Sequence, residues 1–271
     1  MRHQALLVGI VGMGTIGQAI AQALDTQVMA ASLRAVNSRN IDKARQFVTS
    51  LHHQPDVMSL DQLIASCDLV IEAATQDALA HLAPRTLTAG KDLMVLSVGG
   101  VLDHPEWSAM AAQHGCRIYI PSGAIVGLDG VKGACVGRVD RVTITSRKPP
   151  QGLAGAPYVE EQGLDVFAVQ TDTVIFEGTA REACKGFPAN VNVSAALSLA
   201  GIGPDQTRIR IMVAPGSTRN IHDVEVVGEF GRLTTRIENV PSDTNPRTGK
   251  LSYLSAIAML KDIASPVRCG T

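Results

Sequence analysis

Residues 5–24 limit the possible folds more than any other stretch. Ala5-Leu6-Leu7-Val8-Gly9-Ile10-Val11 is a short apolar run, and Gly12-Met13-Gly14-Thr15-Ile16-Gly17 follows with glycines at G-x-G-x-x-G spacing. Gln18-Ala19-Ile20-Ala21-Gln22-Ala23-Leu24 is alanine-rich and helical in character. Strand, tight turn and helix in this order make the glycine spacing a dinucleotide fingerprint. Gly12 permits the turn, Gly14 lets a pyrophosphate approach the backbone, and Gly17 lets the helix pack close to the strand. The unbonded N–H groups at the helix start then face phosphate charge. Gly12, Gly14, Thr15, Ile16 and Gly17 are the first candidate cofactor-binding residues.

The alternation continues through residue 121. Strands are expected at 31–36, 68–74, 92–100 and 116–120, the third of these running into a glycine turn. Helices are expected at 40–51, with Asn40 as N-cap, at 60–66, from about 76 to 87, and at 105–114. The pattern specifies an α/β domain with a doubly wound, mostly parallel sheet. Such sheets bind ligands at the carboxyl ends of their strands, which singles out Ala74 and Thr75 after one strand and Ser97 and Gly99 after the next. A carboxylate about 20 residues past the fingerprint would bind the ribose 2′-hydroxyl; Asn37, followed by Ser38 and Arg39, stands there instead. Nothing in that triplet repels a 2′-phosphate, and Ser38 and Arg39 can donate to one, so NADP is expected to be accepted as well as NAD. In the alternative, Asn37 binds the two ribose hydroxyls and Arg39 is solvated.

The character changes at Pro121-Ser122-Gly123. Residues 141–147, 173–177, 207–213, 222–228 and 232–237 mostly alternate apolar with polar, as half-exposed antiparallel strands do, and helices near 126–136 and 190–200 would cover one face. Residues 122–245 therefore read as an α+β domain with a mixed or antiparallel sheet. The Pro- and Gly-rich stretch 149–163 reads as a surface loop, and 246–271 as a C-terminal segment whose helix, 251–263, packs back on the first domain.

Net charge is −1, with no basic stripe, which argues against nucleic-acid or membrane-surface partners. The first strand begins almost at once and no long apolar span occurs, so a cytoplasmic, soluble protein is expected. Five scattered cysteines without a C-x-x-C pair, and seven histidines without H-E-x-x-H spacing, imply interior thiols and no metal. His3, His52, His53, His81, His104 and His114 fall in the first domain and are assigned no role.

The second half is similar to one family, the L-aspartate dehydrogenases. The resemblance is carried by Pro121-Ser122-Gly123-Ala124-Ile125, Ser146-Arg147-Lys148-Pro149-Pro150, Val174-Ile175-Phe176-Glu177-Gly178-Thr179-Ala180 and Phe187-Pro188-Ala189-Asn190-Val191-Asn192-Val193. It continues in Ser198-Leu199-Ala200-Gly201-Ile202-Gly203, Asn220-Ile221-His222 and Asn245-Pro246-Arg247-Thr248. The resemblance implies NAD(P)-dependent interconversion of L-aspartate and iminoaspartate, which hydrolyses to oxaloacetate and ammonia and feeds NAD biosynthesis. It also implies a Rossmann domain joined to a dihydrodipicolinate-reductase-like domain, in a homodimer. A catalytic histidine falls on His222, and cofactor contacts on Ala124 and on Asn192, with Asn190 second. Asn37 departs from the family's pattern.

The residues fit such chemistry. Hydride leaves an amine-bearing carbon only when the amine is neutral, so a base beside it helps, and histidine changes charge near neutral pH. His222, expected to open a strand after the turn at 214–220, is the candidate acid/base group, or orients the water that attacks the imine. A dicarboxylate needs cationic or amide partners: Lys148 first, then Asn190, Thr248 beside Arg247, Lys185 and Lys250. A homoserine-dehydrogenase or dihydrodipicolinate-reductase relative, or a dinucleotide sensor without turnover, would share the first domain.

Overall fold

A central strand buried on both faces organises the first half of the chain. The computed structural model describes residues 5–26, 29–188, 191–242 and 248–270. Two compact units are formed, one running to Pro121 and including Tyr253–Arg268, the other comprising Ser122–Ser252 and residues 269–271.

In the first unit β1 (Leu6–Val11), α1 (Thr15–Thr26), β2 (Ala31–Asn37), α2 (Ile41–Val48), β3 (Asp56–Val57) and α3 (Leu60–Ser66) come first. They are followed by β4 (Leu69–Glu72), α4 (Gln76–Thr88), β5 (Asp92–Val95), a 3-10 turn (Val98–Asp103), α5 (Glu106–His114) and β6 (Ile118–Tyr119). The strands pair in parallel in the order β3-β2-β1-β4-β5-β6, so the winding reverses between β1 and β4. Val8, Ile10, Leu69 and Ile71 are fully buried, as strands covered on both faces require. α1 lays Gly17, Ile20, Ala21 and Leu24 on the sheet, the spacing of one helical face. Side-chain caps fix three helix starts: Asn40 accepts from Lys43 N (3.0 Å), Ser59 forms a capping box with Gln62, and Thr75 accepts from Ala78 N (3.2 Å).

The second unit contains α6 (Leu128–Ala134), β7 (Val139–Lys148), α7 (Pro150–Leu153), α8 (Pro157–Glu161), β8 (Thr173–Thr179) and α9 (Ala180–Gly186). After these come α10 (Asn192–Ala200), β9 (Arg208–Val213), β10 (Asn220–Gly228) and β11 (Gly231–Asn239). The sheet order is β11-β10-β7-β9-β8. Its pairings are antiparallel except β7 with β9, which is parallel, so half-exposed alternation did not distinguish the two kinds here. α11 (Lys250–Ile263) ends the chain's regular structure, and its Ala256, Ile257 and Leu260 join Val8, Ile10 and Ile20 in one apolar cluster.

Several expectations need correcting. The stretch 149–163 is not a loop: α7 and α8 each start on a proline, whose fixed φ suits a first helical position, and they bury Leu153 and Val159. The strand expected over 92–100 stops at Val95, because Val98-Gly99-Gly100 turns into the 3-10 segment. β3 and α9 were not anticipated; the first is only two residues long, and α9 begins directly on the end of β8 behind a Thr179–Glu182 capping box. Cys67, Cys116 and Cys184 are buried, but Cys135 is partly exposed and Cys269 exposed. Among the described residues no helix is long and apolar enough to cross a membrane.

Candidate active site

At the carboxyl end of the parallel sheet lies a cleft of about 610 Å³. Gly12, Met13 and Gly14 form one wall, Asn37, Ser38, Arg39, Asn40 and Lys43 another, and Ala73, Ala74, Thr75 and His81 a third. A Cβ built on Gly14 would meet nothing within 4 Å, so no neighbour in the fold keeps that position bare. A Cβ on Gly17 would run into the carbonyl oxygen of Gly12, which fixes the close approach of α1 to the turn. Such a cleft, with bare backbone at a helix start, fits a dinucleotide pyrophosphate. Thr15, Ile16 and Gly17 begin α1 beside it without lining it.

Two candidate side chains in this unit are tied to neighbouring groups of the protein. The Asn37 amide donates to the Met58 carbonyl (2.8 Å), which ties one end of that side chain to the protein. The Ser97 hydroxyl donates to the buried carboxylate of Glu72 (2.8 Å), and neither Ser97 nor Gly99 lines the cleft. Lys43 and His81 do line it. Lys43 is not among the candidates that the sequence singles out; its place in the first turn of α2, four residues beyond Arg39, was the available signal.

The second sheet buries one face through strict alternation. Along β7 that face reads Val142, Ile144, Ser146, Lys148; along β10, read backwards, it is Val226, Val224, His222, Asn220. At one end the apolar series thus gives way to four polar side chains, all at most 7% exposed. His222 stands opposite Ser146 in the register, with its Nδ1 2.9 Å from Ser146 Oγ. Burial pushes His222 down to about 3, helped by the positive charge of Lys148, and burial pushes Lys148 down to about 8. Near neutral pH the site therefore holds a neutral imidazole beside a largely charged ammonium. α7 closes over it: a Cβ on Gly152 would lie 3.8 Å from Lys148 Cβ and 4.0 Å from Asn220 Oδ1. The opposite face of this sheet carries ion pairs such as Arg147–Asp223, Arg236–Asp223 and Arg141–Glu225.

Residues 129–263 match the family model for the aspartate dehydrogenase C-terminal domain, and residues 12–121 that for the homoserine dehydrogenase NAD-binding domain. The L-aspartate dehydrogenase of Methanosarcina mazei is 46% identical over 98% of this chain and 100% of its own length. That of Bradyrhizobium diazoefficiens is 42% identical over 98% and 94% respectively. The chain belongs to the L-aspartate dehydrogenase family. The aspartate dehydrogenase structure from Thermotoga maritima superimposes with a TM-score of 0.74 at 25% identity, covering 98% of this chain and 99% of that one. A homoserine dehydrogenase from Thiobacillus denitrificans, 14% identical with a TM-score of 0.61 over 96% and 73%, shares the fold.

Within this family member, the structure brings Gly12, Gly14, Asn37, Ser38, Arg39, Ala74 and Thr75 together on one cleft. In the second unit it brings Lys148 and His222 together and adds Ser146 and Asn220, which the sequence had not singled out. Following the period of two back from Lys148 and His222 would have found both. His222 is the third residue of β10 and does not open it, because the strand starts at Asn220. Ala124 is buried, its carbonyl accepting from Asn239 Nδ2 (2.8 Å). Asn192 is the first residue of α10, Thr248 lies half-buried with its carbonyl accepting from Ser242 N (2.7 Å), and Lys185 is exposed on α9. Asn190, Arg247 and His3 lie outside the described residues.

Proposed function

We propose that this protein oxidises L-aspartate to iminoaspartate with NAD or NADP, and runs the reductive amination in reverse, with His222 as the acid/base group and Lys148 as a carboxylate ligand. The observation that carries this reading is the neutral imidazole and the buried ammonium, side by side where an otherwise apolar sheet face turns polar. When bound, the nicotinamide accepts the hydride from the substrate's α-carbon. The chain's own task is to bind two carboxylates and take one proton from the amine. For Nε2 to accept that proton, Nδ1 carries the hydrogen and donates to Ser146 Oγ. Among the described residues no other hydrogen bond reaches the ring. An imidazole near 3 is a weak base; burial is the larger cause, and the smaller part due to Lys148 is offset when the substrate's two carboxylates enter, which raises the ring's basicity from there.

Purified protein with L-aspartate and either oxidised cofactor should develop the reduced-nicotinamide absorbance. Oxaloacetate with ammonia should bleach it. Cofactor binding without turnover would make the chain a sensor, and turnover of homoserine alone would assign it to another substrate. The same reading carries the homodimer that the family resemblance implies, which light scattering on the purified chain tests.

The state of Lys148 gives a pH signature. Its ammonium is lost as pH rises through about 8, so inhibition by succinate, which has no group titrating there, should weaken above that pH. Lys148→Met should abolish this limb and raise KM for aspartate by about 10–100-fold, the worth of a charge-assisted hydrogen bond. An unaltered KM and an unaltered pH limb would leave Lys148 a core residue.

Acceptance of NADP belongs to Ser38, Arg39 and Lys43, which share one wall of the cleft. The double substitution Arg39→Ala, Lys43→Ala should lower kcat/KM for NADP by about 10–100-fold and for NAD by less than about threefold. Equal losses would remove the 2′-phosphate from that wall. This is a cleaner test than Asn37→Asp, since an aspartate there would set a carboxylate against the Met58 carbonyl.

A further inference from the structure

Glu72 ends β4 and is fully buried, yet neither proton transfer nor carboxylate binding involves it. Burial raises its carboxyl above the usual range, and hydrogen bonds offset part of that rise. The arrangement around it is specific. Oε1 accepts from Ala74 N (2.7 Å) and Ser97 Oγ (2.8 Å), while Oε2 accepts from Ser97 N (2.8 Å) and Leu96 N (3.2 Å). Three of these donors are backbone N–H groups, which cannot reverse their polarity, so the pocket is built for a group that only accepts.

The partners lie on two different connections. Ala74 belongs to the loop between β4 and α4 and lines the dinucleotide cleft. Leu96 and Ser97 follow β5, and Ser97 immediately precedes the 3-10 turn. One carboxylate thus ties together the carboxyl ends of two adjacent strands, on the side of β1 away from β2, where the winding has reversed. A dinucleotide crosses a sheet of this kind at that reversal.

We propose that Glu72 is a positioning residue for the cofactor: it locks the loop after β4 to the turn after β5, so the cleft wall is set before the dinucleotide arrives. The advantage is preorganisation, since two loops ordered in advance need not be ordered by the ligand. The inference rests on the reading of this cleft as the NAD(P) site.

Glu72→Gln keeps the volume, but whichever way the amide lies its NH2 faces at least one backbone N–H and releases that arm. Glu72→Asp keeps the charge and is one methylene too short to reach both arms. Titration of NADH by its own fluorescence should give a Kd at least about tenfold higher for each variant than for the wild type. KM for aspartate at saturating cofactor should stay within about twofold, because the donors to Glu72, from Ala74, Leu96 and Ser97, all belong to the first unit. If Glu72→Gln does not fold, Glu72→Asp decides alone. Variants that melt earlier yet bind NADH with the wild-type Kd would make Glu72 a plain structural group and overturn the proposal. Wild-type protein that binds neither NADH nor NADPH would instead overturn the reading of the cleft.

Discussion

His222→Ala should lower kcat for aspartate oxidation by about 10²–10⁴-fold, the usual worth of a positioned acid or base. The cofactor Kd should stay close to wild type, since the cleft that fits the dinucleotide is built from the glycine turn and the ends of β2 and β4. Turnover equal to wild type would remove the imidazole from the mechanism. A second signature tests the burial of this histidine independently of catalysis. In the folded chain His222 titrates near 3, against 6.5 when exposed, so between those values the unfolded state binds a proton that the folded state refuses. Stability therefore falls as pH drops from about 6.5 towards 3, by up to about 1.4 kcal/mol per pH unit from this group. His222→Ala should lose that acid sensitivity whatever its role in turnover. A variant that gains acid resistance while keeping full activity would mark the histidine as buried only.

The sequence revealed the first unit more fully than the second, for physical reasons. Strands buried on both faces, such as Leu69–Glu72, read as unbroken apolar runs, and the cap Asn40 announces the helix after β2. Glu72 broke that rule, a charge at the end of a buried run, and its four partners arrive from residues up to 25 positions away. No local pattern predicts such a pairing. In the second unit, alternation located the strands of a mixed or antiparallel sheet but carried no information on which neighbour each would take, so it did not identify β7–β9 as the parallel pair. Pro and Gly density suggested a loop at 149–163, although Pro150 and Pro157 act as helix starters there. The candidate site was half legible. All four residues stood in matched motifs, but only Lys148 and His222 carried a chemical role there; that Ser146 and Asn220 share their face follows from the pleat, which turns every second residue to the same side.

The glycine turn allows fold and ligand to be separated by two substitutions two residues apart. Gly12 has φ +100°, and a Cβ there would sit 2.6 Å from Ala73 C and 2.9 Å from Ala74 N, both backbone atoms that side-chain motion cannot move aside. Gly12→Ala combines left-handed strain of about 1–3 kcal/mol with displacement of the loop after β4, for a total of roughly 3–5 kcal/mol. At about 2–4 °C per kcal/mol this is a loss of roughly 6–20 °C in Tm. Because the displaced loop also carries Ala74 and Thr75, NADH binding should disappear with it. Gly14 has no such constraint: its φ is ordinary and its Cβ would meet nothing within 4 Å. Gly14→Ala should therefore leave Tm unchanged or raise it slightly, as glycine replacements at compatible positions do by about 0.4–1 kcal/mol. Its methyl group would stand where the pyrophosphate approaches the backbone, so the NADH Kd should rise at least about tenfold in a protein as stable as the wild type. Gly14→Ala that binds NADH normally would mean that the diphosphate does not approach this turn. Gly12→Ala that melts normally would mean that the turn can relax without moving the start of α4.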